Sequence, residues 1–151
     1  MANTQAMCTS FKVEILGGVH AIGTPPVRAN TNKDTFLAAL YLASATVNAS
    51  TTAYSATGEV SGTGYSAGGV TVTNATAPTS TGTTAFYTPS ASLTYSNVTL
   101  ATAFDAVLMY NSTQADKAVA VFTFGSQTVT AGNFILTMPV SDASTALLRI
   151  A

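Results

Sequence analysis

A chain of 151 residues, 47% hydrophobic, only 7% charged and with a formal net charge of -1, holds one domain's worth of core and has little self-repulsion to keep copies apart. Its five basic residues, Lys12, Arg28, Lys33, Lys117 and Arg149, are scattered, which argues against a nucleic-acid partner, since phosphate recognition needs a basic stripe. Cys8 is the lone cysteine, so no intrachain disulfide can form, and the longest apolar stretch, Phe36 to Val47, is too short to cross a bilayer as a helix.

An ordinary soluble domain carries about 25% charged residues. Here Thr, Ala and Ser fill the gap, with Thr at roughly one residue in six. The opening residues lack the basic-then-apolar layout of a signal peptide, so the expected compartment is a reducing cytoplasm. Four N-x-S/T sequons, at Asn48, Asn74, Asn97 and Asn111, read as loop and turn residues rather than glycosylation sites.

Along the chain, Met7, Phe11, Ile15, Leu16 and Val19 recur at spacings of three to four and predict a helix over 4–20. Asn3 or Thr4 would cap it, and Gly17-Gly18 and Pro25-Pro26 would end it. The alternation of Phe11, Val13 and Ile15 leaves a strand as the competing reading. Residues 24–34, TPPVRANTNKD, form a polar loop. Thr35 to Ala43 is apolar on both faces, as in a strand buried between two layers or a short buried helix; its length favours the strand.

From Thr51 to Gly69 glycine punctuates the chain into turns around short extended pieces. Val70–Thr73, Ala85–Thr88 and Ser92–Val98 are short strand candidates, and Thr73 to Thr84 reads as a long surface loop. Ala103–Tyr110, Lys117–Phe124 and Asn133–Met138 alternate as longer strands, with turn chemistry expected at Gly125-Ser126 and Ala131-Gly132-Asn133. Ala146–Ile150 could close an edge. The pattern predicts one mainly β domain over 1–151, in which antiparallel sheets form a β-sandwich or jelly-roll-like body over 35–151 behind a short N-terminal helix.

One motif looks catalytic. Gly64-Tyr65-Ser66-Ala67-Gly68 fits the G-x-S-x-G nucleophile elbow, which requires a strand before the serine, a helix after it and a later histidine. Here Val70-Thr71-Val72 follows, extended rather than helical, and the sole histidine, His20, precedes Ser66. The glycines are better read as turn formers. Gly62-Thr63-Gly64 with Gly68 misses G-x-G-x-x-G by one residue and has no βαβ context. The carboxylates Glu14, Asp34, Glu59, Asp105, Asp116 and Asp142 occur singly, so sequence offers neither an acid–base pair nor a zinc set. Cys8 reads as a small buried hydrophobe and His20 as a helix-end residue satisfying carbonyls. No catalytic residue, cofactor or metal ligand is expected. Tyr54, Tyr65 and Tyr87, in or near loops, are interface candidates. Phe11 and Val19 join them, on a helix that could pack on the sandwich or swap into a neighbour.

The segments QAMCTSFKVEILGGVH (Gln5–His20), DTFLAALYLASATVNASTTAYSATGEVSGTGYSAGG (Asp34–Gly69), AVLMYNST (Ala106–Thr113), DKAVAVFTFG (Asp116–Gly125) and SDASTALLRIA (Ser141–Ala151) together resemble a family of small virion structural proteins of tailed bacteriophages. The glycine and aromatic pattern of TTAYSATGEVSGTGYSAGG is the most specific part of the likeness, which covers nearly the whole chain. TPPVRANTN and Thr73–Thr84 depart from it. The resemblance implies a non-enzymatic capsid decoration or cement protein, made in the host cytoplasm and placed on the outer capsid surface. Its partners would be the major capsid protein and its own copies, as a trimer or dimer. The alternatives are a head–tail completion, tail-tube or fibre component, or a carbohydrate-binding β-sandwich, the last disfavoured by the absence of Trp.

Overall fold

The run Phe36–Leu42, FLAALYL, forms the strand that its continuous apolarity predicts, buried along nearly its whole length. The computed structural model describes residues 3–16, 19, 20, 22 and 33–151, with the backbone alone at Lys12, Val13 and Leu16. In chain order the elements are β1 (Ala6–Met7), α1 (Thr9–Leu16), β2 (Phe36–Leu42), β3 (Val70–Thr71), β4 (Thr79–Thr81), β5 (Thr84–Tyr87), β6 (Leu93–Asn111), β7 (Lys117–Leu136) and β8 (Leu148–Ile150). All strand pairs are antiparallel, in a five-stranded sheet of order β1-β7-β6-β2-β3 and a three-stranded sheet of order β4-β5-β8. The protein is therefore mainly β with one short helix. The predicted loop 24–34 and the Gly17-Gly18 stop lie largely outside the described residues, which resume at Lys33.

Three expectations are corrected. First, the helix is half the predicted length. Residues before Thr9 bond instead to distant segments: Thr4 N donates to Val47 O (3.1 Å) beyond β2 and Cys8 N to Val119 O (3.0 Å) of β7, with Ala6 opposite Val121. Asn3 caps nothing. Its amide donates to Leu42 O (3.1 Å) and Asp105 Oδ1 (2.5 Å) and accepts from Val47 N (3.1 Å), fastening this segment to the end of β2. Long-range pairing here overrides a weak local helix preference.

Second, the four separate strands expected between Ser92 and Met138 are two long ones. β6 and β7 run 19 and 20 residues and form one hairpin, closed where Asn111 Oδ1 accepts from Thr113 N (3.1 Å) and Gln114 N (3.2 Å). The predicted turns at Gly125-Ser126 and Ala131-Gly132-Asn133 are passed without reversal. Register shifts absorb them, with Gly132 opposite Val98 and both Asn97 (φ 53) and Ala131 (φ 46) in the left-handed region. Glycine and asparagine mark bulges as well as turns. Third, Thr79–Thr81 within the expected surface loop is β4, which pairs with β5. Of the sequons, Asn97 and Asn111 lie in β6, and Asn74 and Asn111 are buried.

The core centres on the Phe104–Asn111 half of β6, flanked by β7 and β2, with Phe36, Leu40, Tyr41, Leu108, Val119 and Val121 fully buried. Tyr87 and Leu148 of the small sheet join the same cluster. Fully burying one Leu, Phe or Val contributes about 1.5–3 kcal/mol, so this short stretch of strand dominates the stabilisation. Phe104, Phe124 and Phe134 meet edge-on or tilted at 4.9–6.0 Å and carry the core outward along the hairpin.

Candidate functional site

Two polar centres and one bare edge hold the features from which a site could be built. The first centre is Glu59. Its carboxylate accepts from Tyr54 OH (2.6 Å), Tyr65 OH (2.7 Å) and Gly68 N (2.7 Å), three donors drawn from the glycine-rich stretch 51–69. Tyr65 OH in turn accepts from Leu40 N (3.0 Å), and Tyr110 OH donates to Gly68 O (2.9 Å). Tyr54 stacks on Tyr110 at 4.7 Å and Tyr65 on Tyr95 at 6.0 Å. Burial, reinforced by the Glu59 charge, raises the phenols of Tyr54, Tyr65 and Tyr95 and pushes Tyr41 up to about 12. The whole stretch is thus clamped flat on β2 and β6, with Thr63 bridging to Thr99.

Ser66, the centre of the G-x-S-x-G match, lies at an exposed turn closed by Gly69 N donating to Ser66 O (3.0 Å). β3 follows, an extended segment and not a helix. The motif's glycines make turns: Gly64 and Gly68 have φ of 78° and 91°.

The second centre lies at the closed end of the β6–β7 hairpin. Asn111, fully buried, donates from Nδ2 to Asp34 Oδ2 (2.9 Å) and His20 Nδ1 (2.9 Å). With Nδ1 accepting, His20 Nε2 carries the proton it donates to Glu14 Oε2 (2.8 Å). Lys117 Nζ donates to Glu14 Oε1 (2.6 Å), and Phe11 packs on the His20 ring at 4.7 Å. His20 therefore satisfies side chains, not the helix-end carbonyls expected of it. Burial alone would raise the Glu14 carboxyl, but hydrogen bonds from Lys117 and His20, with the Lys117 charge, outweigh it and hold Glu14 below its ordinary value. Cys8 is buried as expected, and burial with the nearby Glu14 pushes its thiol up to about 11.

This centre makes a pH prediction. Because the folded value of Glu14 lies below 4.5, its stabilisation is complete above pH 4.5 and drains as pH falls through the folded value. Thermal melts from pH 7 to 3 should show this loss. Glu14→Gln should cost about 2 kcal/mol at pH 7 and flatten the acid limb. An unchanged acid limb in the variant would place the sensitivity elsewhere.

The interface candidates from sequence fare unequally. Phe11 and Tyr87 are core residues, 1% and 3% exposed, and Tyr87 OH donates inward to Asn74 Oδ1 (2.9 Å). Neither is presented to a partner; the apolar bulk that flagged them is used within the fold. Tyr54 and Tyr65 are half-buried with their hydroxyls committed to Glu59, and Val19 is half-buried beside the Glu14 carbonyl that its amide donates to. The large apolar side chains exposed instead are Ile135 (53%), Val140 (72%) and Ile150 (51%); Ile135 falls on the face of the expected strand Asn133–Met138 opposite Phe134, Leu136 and Met138, and Val140 and Ile150 lie beyond or at the end of a strand pattern. Ile135 belongs to the outer half of β7, where Gly125–Thr128, Thr130, Ala131 and Asn133 are also exposed. A cleft of about 690 Å³ lies between β1 with the start of β7 and the C-terminal segment, lined by Ala6, Met7, Ala120, Phe122, Leu148 and Arg149 among others. Among the described residues no three His, Cys, Asp or Glu side chains come together as a metal set.

No family model, curated protein or solved structure matches the chain.

Proposed function

We propose that the protein is a structural subunit of a tailed-phage particle, a decoration or cement protein that binds the outer shell and bridges neighbouring major capsid subunits as a homo-oligomer. The observation that carries this reading is the pairing of a heavily braced body with an exposed, uncharged outer half of the β6–β7 ribbon. Between Lys117 and Asp142 the chain has no charged residue, and the outer half of β7 faces solvent. A catalytic surface gathers polar groups with unused hydrogen-bonding capacity. Here Glu59, Glu14 and Asp34 are engaged in fastening loops to strands. Neutral, small-residue surfaces suit repeated contacts that are individually modest and strong in number. The resemblance of the segments around TTAYSATGEVSGTGYSAGG to virion proteins supports the same reading.

Copy number tests it. Quantitative mass spectrometry of purified particles should find the chain in amounts comparable to the major capsid protein, and particles lacking it should disrupt at lower temperature. A handful of copies, in multiples of three or six, would move it to the tail or the head–tail junction.

A further inference from the structure

Among the described residues, the outer half of β7 is a sheet edge with no strand laid against its outer side. β1 covers β7 only at Ala120 and Val121. From Phe122 to Leu136 the one strand partner among the described residues is β6, and no backbone hydrogen bond joins this stretch to a loop or turn. Natural proteins blunt such an edge with lysine, proline, an inward charge or a bulge. β7 has no charge or proline beyond Lys117, at its first residue, and is interrupted along this stretch by register shifts against β6 alone.

We propose that this edge pairs with the same edge of a second copy, antiparallel about a two-fold axis near Gln127 and Thr128, joining two five-stranded sheets into one. Two features favour a second copy over a different partner. Around a two-fold, every charge close to the axis meets its own likeness, so a self-pairing edge must be neutral, whereas a strand recognised by a charged partner would carry the complementary sign. The segment Gly125–Thr130, GSQTVT, is neutral and β-prone, with small side chains, and spans about 20 Å. The free span also fits a two-fold: an axis between Gln127 and Thr128 places residue 122 of one copy beside residue 133 of the other, so the two strands meet over 122–133 and end where β1 covers Ala120 and Val121. The pairing belongs to the isolated chain and does not depend on a place in a particle.

Sedimentation equilibrium of the purified protein tests it, together with amide hydrogen exchange at two concentrations. The wild type should dimerise, and amides of Gly125–Asn133 should gain protection with concentration. Thr128→Lys, at an exposed position, should weaken the dimer about a hundredfold while leaving circular dichroism unchanged. A wild type that stays monomeric at about 100 µM, or a Thr128→Lys dimer as tight as wild type, overturns the proposal. Should the variant misfold, exchange in the wild type decides: protection of Gly125–Asn133 that is independent of concentration overturns it equally. A failure here leaves the particle reading intact, since copy number tests that separately.

Discussion

Gly69→Ala is expected to abolish or nearly abolish folding. Gly69 has φ of 80°, and a Cβ built there would lie 1.7 Å from Ala38 O and 2.7 Å from Ala39 Cα. Ala38 and Ala39 belong to β2 and are fully buried, Ala38 paired with both β3 and β6 and Ala39 with β6. The clash is therefore with backbone that has nowhere to go. Left-handed strain alone costs about 1–3 kcal/mol, and displacing a central strand adds at least as much. A total above about 4 kcal/mol is a large share of the 5–15 kcal/mol that holds a typical domain together. Gly125→Ala, where a new Cβ meets nothing within 4 Å, is the control and should melt within a few degrees of wild type. Soluble, wild-type-like Gly69→Ala protein would mean that the 51–69 stretch is not seated on β2 as described.

Glu59→Leu is expected to cost about 3–5 kcal/mol, because it strands three donors at once, two phenols and the Gly68 amide. Each buried donor left without an acceptor forfeits about 1–3 kcal/mol. Glu59→Gln keeps one acceptor oxygen and the shape of the side chain, and should lose roughly half as much. Denaturant titration of the two variants checks the order. The loss should come with faster amide exchange in 51–69 and little change at the closed end of the β6–β7 hairpin, which Asn111 and Glu14 secure independently. Equal stability of Glu59→Leu and wild type would show the carboxylate to be incidental.

These two centres also show where the sequence was readable. Phe36–Leu42 was legible as a buried strand because apolarity on both faces leaves few other solutions. Ala146–Ile150 was legible as an edge because a short apolar run at the end of a strand series has only an open edge left to pair with, and Leu148–Ile150 pairs with β5 there. The Glu59 centre left a signal that was not used. Its partners lie five residues before it and six and nine after it, so a lone carboxylate between two tyrosines in a glycine-rich stretch could have been read as a loop clamp. The other centre left no such signal. Asp34, Asn111, His20, Glu14 and Lys117 are brought together across separations of 77, 91 and 103 residues, which no local spacing encodes. The hairpin was misread for a physical reason. Glycine and asparagine lower the cost of a bulge and of a turn alike, so only the partner strand, with its matching irregularity at Asn97, decides between them. The edge strand went unnoticed because an edge is a property of topology, visible once β1 is seen to cover two residues of β7 and no more.

What the bare, neutral outer ribbon is for decides the function. An image reconstruction of intact particles at a resolution that traces strands addresses this most directly. Density for this chain should repeat over the outer shell, with each body lodged between major capsid subunits. Particles whose outer surface carries no such density, with the chain confined to a single vertex or missing altogether, would contradict it.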